Sequence, residues 1–149
     1  MICALLVLST GAWAQNMYDA QMMGGYAVRT TDAQTGHETY TPTEHASYWV
    51  NMQYGTTWQA GFFAGYIKQL GTRGMVEDAS VFYGRACNMT EMFRIAPRVS
   101  RQVGNLQLAA EVEWNRAAFG TLQSGTAGDV SQARFVSEVK VDVAATLLF

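Results

Sequence analysis

In a chain of 149 residues, 49% apolar and only 15% charged, something replaces the roughly 25% charged share of an ordinary globular domain. The formal charge is -2, with Lys and Arg scattered, which excludes the electrostatic footprint of a nucleic-acid binder. No run approaches the roughly 18 consecutive apolar residues of a spanning helix, so a membrane would have to be crossed by strands.

Residues 1–15, MICALLVLSTGAWAQ, have two readings. An apolar stretch followed by Ala12-Trp13-Ala14 resembles a secretory signal, but the basic n-region is missing. The same residues also read as the first strand of a truncated barrel. Residues 16–19 would turn the chain into a short Gly-rich strand at 22–29, where Gly24 and Gly25 mark a bend or a crowded wall position.

The period-two signal then strengthens. Residues 46–54 alternate Tyr48, Val50, Met52 and Tyr54 with Ser47, Trp49, Asn51 and Gln53. A tight turn at 55–57 leads into 58–70, where both faces are fairly apolar and orientation stays open. Residues 90–101 carry Arg94 and Arg98 on one side. Pro97, which cannot donate to a ladder, argues there for an edge or a bulge. After a turn at 102–105, residues 106–115 set Leu106, Leu108, Ala110, Val112 and Trp114 against Gln107, Ala109, Glu111, Glu113 and Asn115. From Ala133 to Phe149 one face is nearly all apolar, while the other begins Arg134, Val136, Glu138, Lys140, Asp142.

The connections run short and long in strict alternation: 16–19, then 30–45, 55–57, 71–88, 102–105 and 120–132. Short turns at one end and long loops at the other are the habit of transmembrane barrels, whose strands need about 9 to 11 residues to cross. The expected fold is therefore all-β, an antiparallel up-and-down meander of about six or seven strands forming part of a transmembrane barrel. Neither count closes a barrel alone. Residues 16–149 are thus expected to be the C-terminal part of a larger one.

Several stretches carry a family resemblance: Met22-Met23-Gly24-Gly25-Tyr26-Ala27, Gly61-Phe62-Phe63-Ala64-Gly65-Tyr66, Phe82-Tyr83-Gly84-Arg85, Arg94-Ile95-Ala96-Pro97-Arg98 and Leu108-Ala109-Ala110-Glu111-Val112-Glu113-Trp114. Together they resemble the porin-like outer-membrane barrels of Gram-negative bacteria. That resemblance implies passive diffusion of small solutes, no enzyme chemistry and an outer-membrane location. It also makes the terminal Phe149 similar to the signal read by the barrel-insertion machinery.

On this scheme Arg94, Arg98, Glu111, Glu113, Arg134, Glu138, Lys140 and Asp142 face a lumen, either as a field acting on charged solutes or as cross-strand ion pairs that fix register. Complementary neighbours favour the pairs. Tyr48, Tyr54, Trp58, Tyr66, Phe93, Trp114, Phe135 and Phe149 are expected to form aromatic girdles where lipid meets water. Asp32, His37, Glu38, Glu44 and His45 read as a solvated loop with no metal-ligand spacing, and Cys3 and Cys87 as unpaired thiols.

No cofactor is expected. The expected partners are the lipid bilayer, the insertion machinery, small solutes and, because an open sheet exposes two edges, further copies in a homo-oligomer. The rival is a soluble barrel or sandwich that turns its apolar faces inward on a small apolar ligand. A third reading is a structural barrel segment without conduction.

Overall fold

A computed structural model describes residues 25–78, 82–84 and 86–147. The 1–15 segment, the 16–19 turn, residues 22–24, Arg85 and Phe149 lie outside the described residues. Within them the fold is all-β, with no helix. The strands are β1 (Tyr26–Thr31), β2 (Glu38–Gly55), β3 (Trp58–Thr72), β4 (Phe82–Tyr83), β5 (Met89–Val103), β6 (Leu106–Leu122) and β7 (Val130–Leu147). They form one antiparallel sheet in the order β4-β1-β2-β3-β5-β6-β7, curled into an open half-barrel. Only β4 departs from a simple meander, by adding to the outer edge of β1 through Tyr26–Tyr83 and Ala27–Phe82.

Local chemistry sets the turns. Gly55 has φ +109°, and a Cβ there would lie 1.9 Å from the Trp58 carbonyl oxygen, so the β2–β3 hairpin requires glycine. Gly104, at φ +59°, reverses the chain between β5 and β6. Both hairpins fold over the turns expected from the sequence, at residues 56–57 and 104–105.

The opposite end needs correction. Residues 30–45 are not a long loop: β1 and β2 continue to a compact turn at 32–37. Asp32 Oδ1 accepts the Gln34 and Thr35 amides at 2.8 Å each, and Gly36 takes φ +69°. Polarity on both faces disguised this strand, because it lies beyond the apolar part of the sheet. His45, Glu38 and Glu44 are accordingly strand residues, and Glu44 pairs with Arg73. β6 likewise runs past Asn115 to Leu122, and the β6–β7 connection shrinks to 123–129.

Four irregularities in register, at Val28/Thr30, Glu44/His45, Met89/Glu91 and Phe119/Thr121, all fall towards this second end. Extra residues there increase local twist and help the sheet curl. Pro97 sits on a central strand, not an edge. The β5–β6 pairing passes from Ile95–Trp114 to Arg98–Glu111 with Ala96 and Pro97 unmatched, so the missing donor falls in a gap of the ladder.

Candidate functional site

Register assigns each side chain to one of two faces. On the convex face Tyr54, Ala60, Val99, Ala110 and Val143 line up across five strands. Met52, Phe62, Pro97, Val112 and Val141 follow, then Val50, Ala64, Ile95, Trp114 and Val139. These three successive rows contain no charge, and among the described residues no second layer of protein covers them: Val139, Val141 and Val143 are 65%, 64% and 81% exposed. Each such side chain forgoes about 1.5–3 kcal/mol of burial if water is its neighbour.

Polar groups return on both borders of this band. On the short-turn side Arg101 stacks over Trp58, with its Cζ 5.0 Å from the ring centroid. On the other side Arg116 lies 4.0 Å over Phe135, and the Tyr66 hydroxyl donates to Glu91 at 2.6 Å beside Lys68. From Trp58 to Lys68 is about ten residues, which at ~3.4 Å each span about 34 Å along the strand. The described aromatic candidates, Tyr48, Tyr54, Trp58, Tyr66, Phe93, Trp114 and Phe135, all belong to this face. Sequence reasoning missed Arg101 and Arg116. Each continues an otherwise apolar alternation, and that parity was the available signal.

All eight charged candidates share the concave face. Arg94, on β5, is 7% exposed and bonds Glu113 of β6, itself 8% exposed. Asn115 Nδ2 donates to the other Glu113 oxygen at 2.6 Å, and Glu111 approaches Arg94 at 3.8 Å. Arg94 thus serves two carboxylates. Lys140 pairs with Asp142 along β7 at 2.9 Å. Arg134 and Glu138 are exposed. Glu111, Glu113 and Asp142 bring oxygens within 4.8 Å of one another, but each is already paired with Arg94 or Lys140, which suits ion pairing better than a metal.

The concave face is not uniformly polar. Phe63 and Ile67 orient β3 inward, where Ile67, Met89 and Met92 form a buried cluster with Phe63, Ala86 and Ala117 against it. Arg94 also faces the Phe63 ring, at 6.0 Å. Nothing in the β3 alternation could orient it, because both of its faces are apolar. Gly65 lies between Trp49 and Arg94, and Gly61 between Gln53 and Arg98, so the two inward arginines each meet a glycine across the strand gap.

At the second end the connections are knitted together. Val76 bridges Thr126, with the Val76 amide donating to the Thr126 carbonyl and the Gly125 amide to that of Val76, both at 2.8 Å. The Thr72 amide donates to Ala127 at 2.8 Å, and the Gly74 amide to the Thr41 hydroxyl at 3.2 Å. Burial raises the Cys87 thiol above its ordinary pKa in this region; among the described residues it forms no disulfide.

Fold and faces together define a class: an antiparallel half-barrel, apolar without and charged within. A comparison with known protein families, curated proteins and solved structures finds no match.

Proposed function

We propose that this chain forms part of the wall of a porin-like outer-membrane barrel through which small solutes diffuse passively. The observation that carries the proposal is the convex band: three registered rows over five strands, wholly apolar, exposed or half-exposed throughout, and bordered on both sides by charge–aromatic pairs. A soluble protein rarely leaves so broad an apolar surface open, and hydrocarbon is the solvent that removes its cost. Tilted by the ~45° usual in such barrels, the roughly ten residues from Trp58 to Lys68 would stand about 24 Å tall, enough for their roughly 25 Å apolar band. Antiparallel strands with tight turns at one end and knitted connections at the other support the same reading, as does an inner face rich in paired charge.

Flotation tests it directly. The full chain, refolded in detergent and mixed with phospholipid vesicles, should float with the lipid in carbonate and resist extraction. Recovery as a folded monomer in detergent-free buffer would instead favour the soluble rival. For conduction, Glu111→Lys should move the reversal potential of the assembled pore towards anions. Silent bilayers under conditions of complete insertion would leave a structural wall without transport.

A further inference from the structure

We infer that the concave wall carries a binding subsite for the carboxylate of a small organic acid, centred on Arg98. The inference rests on the proposed reading in that it names a solute class for that wall.

Arg98 and Glu111 are directly opposed in the β5–β6 register, so simple alternation predicts that they pair. They do not. The Arg98 side chain lies the other way, across β3: its Nε and Nη2 are 3.4 and 3.7 Å from the point a Cβ on Gly61 would occupy. The Glu111 carboxylate turns to Arg94 instead, at 3.8 Å, where Arg94 already holds Glu113. One arginine therefore satisfies two acids. Among the described residues the other has no ion-pair partner.

Glycine makes this possible. At position 61 any larger side chain would stand between Gln53 on β2 and Arg98 on β5, and its absence opens a notch that the guanidinium borders. Amide and hydroxyl groups line the same patch. Gln53 Nε2 donates to Gln59 Oε1 at 2.8 Å, and the Ser100 hydroxyl reaches the same oxygen at 3.4 Å. That bonding fixes Gln59 as an acceptor towards its neighbours and leaves Arg98 as the free cationic donor. Arg98 is exposed, whereas Arg94 is buried, so of the two inward arginines of β5 it is Arg98 that meets a solute on the concave side.

A planar guanidinium with parallel N–H groups matches a carboxylate in a two-point grip. Glu111, one strand from Arg98, and Asp142, two strands from it on the same face, repel a second negative charge. The subsite therefore selects one carboxylate on an otherwise neutral small molecule over multiply charged anions.

The test uses the full chain refolded in detergent and labelled with nitrogen-15 on arginine. Acetate titration should shift the Arg98 Nε–H resonance saturably, while acetamide, isosteric and uncharged, leaves it in place. Arg98→Gln should weaken acetate binding, read by calorimetry or competition, by about tenfold or more. Arg98→Lys, which keeps charge but loses the fork, should fall between. Arg101→Gln, on the convex face, serves as a control and should bind as the unmodified chain.

Equal acetate affinity in Arg98→Gln, or acetamide acting as well as acetate, overturns the proposal. So does inorganic phosphate displacing acetate when added at the same concentration, since that would make the site one for multiply charged anions. Flotation keeps the two readings separate. Acetate binding lost in Arg98→Gln by a chain that fails to float would keep the subsite and end the membrane wall, whereas a floating chain blind to acetate would do the reverse.

Discussion

Val112 and Glu113 are adjacent in sequence, yet they meet opposite surroundings. Val112 joins a row of exposed and half-exposed apolar side chains from β2 to β7, while Glu113 is buried against Arg94 and Asn115. In a soluble sheet the two would be exchanged, with valine beneath a second layer and glutamate in water. The convex face gathers side chains that water penalises. The concave face gathers charges, and pairs Arg94 with Glu113 and Lys140 with Asp142. On the reading proposed above, the contrast is that of a sheet between two media, and the Arg94–Glu113 pair at its centre is as buried as a protein interior.

The contrast can be broken from the concave side first, where the largest effect lies. Glu113→Ala leaves Arg94 buried with only the more distant Glu111, and should cost about 3–5 kcal/mol in urea unfolding of the refolded chain. Arg94→Leu combined with Glu113→Leu should recover most of that loss. A single-variant cost below ~1 kcal/mol would mean that water, not protein, surrounds the pair.

From the convex side, Val141→Arg places a charge at the middle of the apolar band. In vesicles the expected cost is about 2–4 kcal/mol, falling towards zero at the borders, for instance at Phe135. A flat response along β7 would show that hydrocarbon is not the neighbour.

The third effect is local. Gly71 has φ +90°, and a Cβ there would come 2.2 Å from the Ala127 carbonyl oxygen, which bonds the Thr72 amide. Gly71→Val should cost about 1–3 kcal/mol through backbone strain. It should speed amide exchange at Thr72 and Val76 while leaving both faces of the band unchanged. Uniform acceleration throughout β5 and β6 would mean that the knitted end and the two-faced sheet are one cooperative unit.

The smallest effect is at the β1–β2 turn. Amides of Thr35 and Gln34 hold the Asp32 carboxyl below its ordinary pKa. A depressed folded value contributes stability above the unfolded pKa of about 3.9, and that contribution is lost as pH falls through the lower folded value. Exchange at the Gln34 and Thr35 amides should therefore rise only at strongly acidic pH. Asp32→Asn should remove most of the dependence. A rise already complete near neutral pH would assign the effect to another group.

Much of this architecture was legible in the chain itself. Strand alternation is local, so Leu106 to Trp114 and Phe135 to Leu147 declare their apolar faces without reference to any partner, and the turns at Gly55 and Gly104 follow from backbone freedom. The all-β meander and the gathering of Arg94, Arg98, Glu111 and Glu113 on one face came from that period of two. Other features required the neighbours. β3 is apolar on both sides and gained an inside only when Phe63 and Ile67 met Met89 and Met92. The outer half of β2 looked like loop because polar residues occupy both its faces beyond the band. Arg94 and Arg98 are indistinguishable in sequence, two steps of two apart on the same strand. Only the register across β3 and β6, a glycine on one side and competing carboxylates on the other, decided that one is buried in an ion pair and the other lies open.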